Sequence, residues 1–393
     1  MVLYMVITGL TLCLAGLVKN TCNGAGTVST GNAGNRGNSA DGLYERSCIT
    51  RQNAVNYASM MIIFTILFLL SAFRLDVGND YGTYVDTFHE IYVGGYVVTE
   101  PFFNGLIKVL FFLSGGEDYL LAFALFGFVT IWLFLKVLYE QSDDFFLAFF
   151  LFMTLGLYFR TFNTIRYYFV LAVTLYSFRY VLRREYLKFL ALIGFAAMFH
   201  KSVLVVIPLY LLAGLTWKKW HVAALGAGGI SLLLFRDFFL KIALLLYPSY
   251  ENTIYVENIE GITGSLFNIA RCVAVLVLAL LVYKEAVEKH EANLFYFKLN
   301  LLAIFVYVCC SFLPLVTRFG YYLMTSHILF LPSLSGQIRD PRKKKLVTAA
   351  ILLAGIIYFA YFLKTGNQVG VRVLPYISWL FEERYFPNAG EIF

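Results

Sequence analysis

The sequence predicts an all-α protein, a polytopic bundle of about twelve transmembrane helices with both termini on the outer side. Three observations predict it. Of 393 residues, 60% are hydrophobic and only 14% charged, and mean hydropathy is +0.72; a soluble domain carries about 25% charged and about 45–50% apolar residues. The apolar residues fall into runs near the ~20 residues that a helix needs to cross a bilayer. Lys and Arg are distributed unevenly between alternate loops, as in membrane proteins that keep their basic loops in the cytoplasm. A soluble enzyme is excluded first, because too little polar surface remains to cover a water-facing globule. The net charge of +7 belongs to the same loop bias and does not indicate nucleic-acid binding.

The first run, 1–18, lacks the basic start and small-residue cleavage site of a signal peptide and reads as a retained helix. Residues 19–51, with the core NGAGTVSTGNAGNRGNSADG, have no apolar periodicity and read as a cytoplasmic low-complexity loop. Further runs follow at 54–73, 119–138, 144–160, 166–182, 188–200, 203–216, 221–246, 265–283, 293–313, 319–335 and 346–363. The runs at 188–200 and 203–216 are short, and read as tilted spans or as a broken pair around His200. Segment 101–114 is too short to cross comfortably and reads as interfacial or re-entrant. The transmembrane domain then occupies 1–363, with external loops at 74–100 and 247–264 and an external tail at 364–393. Orientation rests on the basic cluster at 339–345, set against stretches 75–107 and 247–264 that have no Lys or Arg; the second carries Glu251, Glu257 and Glu260. Cys22 and Cys48 share the cytoplasmic loop and are expected to be free thiols.

With that orientation, the informative residues are charges that break the pattern. Span two ends in SAFRLDVGNDYGTYVDTFHEIY, which brings Arg74, Asp76, Asp80, Asp86, His89 and Glu90 to the outer side. Acids are cheap in a solvated loop, but Arg74 opposes the charge bias. YFRTFNTIRYYFV carries Arg160, Asn163 and Arg166; Asn163 and Arg166 are three apart and share one helical face. The plain alternative for Arg166 is snorkelling to lipid phosphate. AAMFHKSVLV places His200 and Lys201 between two apolar runs, where an ionisable group is costly; the plain alternative is a histidine that ends one helix. SFLPLVTRFGYYLM supplies Pro314, Arg318, Tyr321 and Tyr322. If the bundle gathers Arg74, Arg166 and Arg318 around one pocket, their guanidinium forks suit phosphate or diphosphate. Tyr81, Tyr84, Tyr167 and Tyr322 suit stacking on sugars and equally suit interface packing. No metal or cofactor is expected: the five histidines are scattered, DVGND lacks the spacing of a calcium loop, and no G-x-x-x-x-G-K-[ST] stretch is present for ATP hydrolysis.

The stretch Arg74-Leu75-Asp76-Val77-Gly78-Asn79-Asp80-Tyr81-x-x-Tyr84 resembles the signature after the second span of the EpsG family, a Wzy-like group of exopolysaccharide and O-antigen polymerases. Asn163-x-x-Arg166, the phrase 196–202 (AAMFHKS) followed by Pro208, and Arg318 with Tyr322 resemble later blocks in order, so the resemblance covers roughly 54–335. The Gly/Asn-rich loop at 19–51 departs from the family pattern. The resemblance implies a multi-pass enzyme of the bacterial inner membrane with a glycosyltransferase C-type fold. It implies polymerisation of undecaprenyl-diphosphate-linked repeat units at the periplasmic face, with a chain-length regulator and a flippase as partners and the bilayer as its setting. An arginine set with Tyr81, Tyr84, Asn163 and Tyr322 would bind the donor diphosphate and sugars. A general base must take the acceptor proton, and the candidates in order are Asp80, His200 and Asp76. An O-antigen ligase-like transferase is the alternative. A polysaccharide flippase ranks third, because the distinctive charges cluster at one face.

Overall fold

The computed structural model describes residues 1–19, 51–246, 262–313, 316–368 and 371–381. The low-complexity loop with Cys22 and Cys48, the external stretch with Glu251, Glu257 and Glu260, Pro314 and the end of the tail lie outside the described residues. In order, the helices are α1 (Val2–Ala15), α2 (Arg51–Ala72), α3 (Tyr81–Val93), α4 (Pro101–Ser114), α5 (Tyr119–Gln141) and α6 (Phe145–Thr154). They continue with α7 (Leu157–Arg160), α8 (Ile165–Leu182), α9 (Tyr186–Ala197), a 3-10 turn (Lys201–Val205) leading into α10 (Val206–Gly214), α11 (Lys219–Leu234) and α12 (Arg236–Leu246). The last are α13 (Ile262–Leu281), α14 (Glu291–Cys309), α15 (Val316–Met324), α16 (His327–Gln337) and α17 (Pro341–Thr365). Among the described residues there is no strand, only one isolated bridge between Arg74 and Ser378. The all-helical, apolar architecture is that of a polytopic membrane protein.

Among the described residues, four helices, α2, α5, α14 and α17, are long and apolar enough to cross a membrane by themselves. Several of the other expected runs are shorter or divided. A helix of 10–14 residues covers only about 15–21 Å of a hydrocarbon layer about 30 Å thick. The run 144–160 divides at Gly156, which takes a left-handed φ of 69° between α6 and α7. The run 319–335 divides after Met324, where the Thr325 hydroxyl donates to the Tyr321 carbonyl (2.5 Å) and the Ser326 hydroxyl to that of Leu323 (2.6 Å). Hydroxyls that cap freed carbonyls make such a break tolerable in an apolar setting. The pair at 188–200 and 203–216 breaks at His200, whose extended backbone (φ −158°) precedes the 3-10 turn. Within the expected external loop 74–100 lies α3, an ordered helix that packs on α4.

Helix α8 is the axis of the bundle. Its residues are buried on nearly all faces, and it packs on α5, α9 and α10, as expected of a helix apolar all round. Helices α11 and α12 are the opposite case: Trp220, Ile230, Leu234, Phe238 and Leu245 are exposed and present an apolar flank.

Contacts between loops define two ends. At one, segment 371–381 docks on 73–79: the Leu75 amide donates to the Ile377 carbonyl (3.0 Å), that of Gly78 to Arg372 (2.8 Å) and that of Trp379 to Phe73 (3.3 Å). The Tyr4 hydroxyl reaches the Val373 carbonyl (2.7 Å) and that of Tyr376 the Leu70 carbonyl (3.0 Å), so the start of α1 joins the same end. The described part of the expected tail is therefore built into the bundle. At the other end Arg179 pairs with Glu140 (3.0 Å), Arg184 with Glu291 (3.6 Å), and the Arg339 amide donates to Glu285 (2.7 Å).

Candidate active site

The end that carries the docked tail also carries a cavity of about 530 Å³ under α3, within the range of small-ligand sites. Its construction begins at Gly78. With φ at +111°, a Cβ there would fall 2.2 Å from the Phe162 carbonyl oxygen, so only glycine lets this loop lie on the turn that precedes α8. The contact brings the Asn79 amide to the Asn163 side-chain oxygen (3.0 Å) and Asp80 to the Thr164 hydroxyl, which donates to it at 2.5 Å. Asp80 then stands at the start of α3, on the cavity wall with Tyr84, Asp86 and Glu90.

The facing wall is cationic. Arg166, in the first turn of α8, is ion-paired with Glu100, and both side chains are mostly buried. Glu100 stands directly before Pro101 at the start of α4, and its second oxygen accepts from the Lys201 amide (3.0 Å). One carboxylate thus ties α4, α8 and the 3-10 turn together. The Arg166 guanidinium lies 4.9 Å from the Phe103 ring centroid, a face that favours a cation. Beside it, His200 Nδ1 is hydrogen-bonded to the Ser202 hydroxyl (2.8 Å), which is hydrogen-bonded to the Tyr322 hydroxyl (3.0 Å). Tyr167 lies edge-on to His200 at 5.8 Å, and its hydroxyl donates to the Arg318 carbonyl (2.8 Å). His200 sits in the turn outside both flanking helices. Burial pushes its imidazole down to about 3, and the positive charges of Arg166 and Arg318 push the same way. At neutral pH the ring is uncharged.

The cavity brings together Asp80, Tyr84, Arg166, His200 and Arg318. Asn163 and Tyr322 support it from behind, through Asn79 and Ser202. Arg74 does not line it. That side chain is 1% exposed, enclosed by the rings of Phe123 (4.9 Å) and Phe162 (5.3 Å), and Nη1 donates to the Ser71 carbonyl and hydroxyl. Tyr81 stacks on the same Phe123 at 4.5 Å. Asp76, half exposed and with a left-handed φ of 50°, pairs with Arg372 of the docked tail. Three arginines were expected around one pocket; two line it, and the third is sealed behind it. Glu100 and Thr164 were not singled out from the sequence, and Ser202 entered only as the last residue of the phrase 196–202. The available signal for Glu100 was its place before Pro101, where an acid opens an apolar segment. Among the described residues, no three of His, Cys, Asp and Glu are grouped to hold a metal ion.

The docked segment bears on the comparison with known proteins. A family model described as the EpsG family matches residues 57–378, most of the chain, and that span includes the cavity and residues 371–378 of the segment that packs on 73–79. No curated protein and no solved structure gives a significant match. On the extent of the first match, this chain belongs to the EpsG family, a family of Wzy-like polymerases.

Proposed function

We propose that the protein is a glycosyltransferase that polymerises undecaprenyl-diphosphate-linked oligosaccharide repeat units at the periplasmic face of the inner membrane. The observation that carries this reading is one cavity lined by His200, which is hydrogen-bonded to Ser202 and through it to Tyr322, together with Arg166, Arg318 and Asp80. In the tautomer whose Nδ1–H donates to the Ser202 hydroxyl, Nε2 carries the lone pair and serves as the base for the acceptor hydroxyl. As the acceptor oxygen attacks the anomeric carbon, its proton passes to Nε2. The bond from that carbon to the diphosphate oxygen breaks, and both electrons leave with the lipid diphosphate. Fixed cations at the cavity stabilise the negative charge that develops on the leaving group. Asp80, anchored by Thr164, orients the acceptor sugar. Asp76 ranks behind both, because it faces Arg372 rather than the cavity.

The membrane reading follows from the two ends of the bundle. Helices α6–α7, α11–α12 and α15–α16 each count as one crossing, and the 3-10 turn with α10 as another. With α1, α2, α5, α8, α9, α13, α14 and α17, they make twelve crossings with both termini on the cavity side. The 339–345 cluster lies at the other end, which makes the cavity end periplasmic.

The test is a purified, nanodisc-embedded protein supplied with one defined undecaprenyl-diphosphate repeat unit. A ladder of longer glycans still attached to undecaprenyl diphosphate is expected, together with labelling of N79C but not K344C by an external, impermeant thiol reagent. Absence of any ladder, or transfer only to a different acceptor, overturns the reading.

A further inference from the structure

The two walls of the cavity differ in charge, and the acidic wall has a construction of its own. Helix α3 places Asp80, Thr83, Asp86, Thr87 and Glu90 at the cavity. Asp86 and Glu90 are four apart, so their carboxylates stand side by side on one helical face. Both are exposed, and among the described residues neither has a cation within ion-pair distance. Glu100, in the same lining, is balanced by Arg166. Outside the cavity, His89 of the same helix pairs with Glu117 at 3.0 Å.

The chain then folds back over the end of this acid pair. Gly94 takes a left-handed φ of 80°, and the Gly95 amide donates to the Glu90 carbonyl (2.8 Å). A Cβ at Gly95 would fall 1.8 Å from Glu90 Oε2, so glycine lets the loop lie against that carboxylate. The next residue, Tyr96, reaches the cavity rim and is 88% exposed. An exposed ring beside a carboxylate suits a sugar, whose C–H face covers the ring while its hydroxyls donate to the acid. The buried end of the cavity is also open to a ligand. His200 is 8% exposed and bonds Ser202 through Nδ1, while its other ring nitrogen has no hydrogen-bond partner among the described residues.

Resting on the polymerase reading, we infer that Asp86, Glu90 and Tyr96 form the subsite for the acceptor glycan and select an uncharged sugar there over a uronic acid. The hydroxyls of an uncharged sugar donate to the two carboxylates while one face of its ring lies on Tyr96. A uronic acid brings a third negative charge against an uncompensated pair, and like charges set together exclude the wrong partner. The wall of opposite sign, with Arg166, Lys201 and Arg318, is left to the anionic donor. Opposite walls therefore sort two substrates that share one kind of lipid carrier. Glu90 lies roughly 15 Å along α3 from Asp80, so the subsite holds the glycan behind its reacting end.

The experiment supplies the nanodisc-embedded full chain with its own lipid-linked repeat unit and competes growth of the ladder with two soluble acceptors. Both are octyl glycosides of that unit without diphosphate, one ending in glucose and the other in glucuronic acid. The glucose form should compete about tenfold better, the scale of two exposed like-charge contacts, and added salt should shrink the ratio. Asp86→Asn combined with Glu90→Gln should bring the two competitors within about threefold of each other. Tyr96→Ala should weaken the glucose form about tenfold, whereas Tyr96→Phe keeps the ring and should retain its binding. All three side chains are exposed, so these variants test the ligand contact rather than the fold. Equal competition by the two forms, stronger competition by the acid, or competition by neither overturns the inference, while the ladder itself leaves the polymerase reading standing. A ratio that survives loss of both carboxylates, or a Tyr96→Ala variant that matches wild type, overturns it as well. Absence of a ladder from wild type removes the polymerase reading and this inference with it.

Discussion

Arg74 and Arg166 stand at the same end of the bundle and have opposite surroundings. Arg74 is closed in by two phenylalanine rings and a backbone carbonyl, under a loop that the C-terminal segment covers. Arg166 lines an open cavity and is balanced by Glu100. In the first region every contact is to the protein's own frame. In the second, charges of both signs face a space large enough for a sugar. The difference teaches that an arginine breaking the charge bias marks a site that costs energy, and that its neighbours decide whether the cost serves the frame or the ligand.

The largest effect is expected at the open site. His200→Ala should lower turnover about 100-fold or more, the range for loss of a positioned base. The pH profile tests the same residue. Because the imidazole pKa is depressed to about 3, the proton-accepting form persists on acidification. Wild-type kcat/KM should therefore stay level below histidine's ordinary value of about 6.5 and fall only as pH approaches 3. Arg318→Gln removes one of the positive neighbours and should move that acid limb upward. A wild-type limb near 6.5 would show that His200 is not held neutral by its surroundings.

A smaller and different effect is expected at the sealed site. Arg74→Ala empties an enclosed space, and large-to-small changes of this kind cost about 2–5 kcal/mol. Melting temperature and the amount of inserted protein should fall, while turnover per folded molecule should stay within about threefold. Loss of turnover at an unchanged melting temperature would break the comparison and return Arg74 to the reaction.

The smallest effect concerns the rim between the two regions. Asp76 and Arg372 form a half-exposed ion pair, and such pairs are worth about 0–1 kcal/mol. Asp76→Asn, Arg372→Gln and the double variant should be nearly alike in stability and in turnover. A sharp loss of turnover in Asp76→Asn alone would instead make Asp76 the base.

The sequence made the helical membrane class legible, because composition and run length do not depend on long-range contacts. It also pointed to Arg166 and Arg318 as exceptions to the charge bias, to His200 as an ionisable group between two apolar runs, and to Asp80 through the family resemblance, and these share one cavity. Its limits are equally physical. Arg74 looked equivalent to Arg166 because the rings that enclose it come from Phe123 and Phe162, far along the chain. Glu100 was passed over because an acid in an acid-rich outer loop looks solvated, whereas here it is buried against Arg166. The division of run 144–160 depended on the left-handed backbone of Gly156, which leaves apolar patterning untouched.

The docked tail also has a consequence for the order in which the protein is made. Loop 73–79 emerges early in synthesis, yet the carbonyls that receive its Leu75 and Gly78 amides belong to Ile377 and Arg372, which are translated only after α17. Asp80 follows directly on that loop. Those bonds form only once segment 371–381 has been made, so a polypeptide can carry all of α1–α17 and still leave this loop uncovered. A ribosome stalled before residue 371 would hold a bundle with its helices in place and its loop unclosed, which delays that closure until the segment is made.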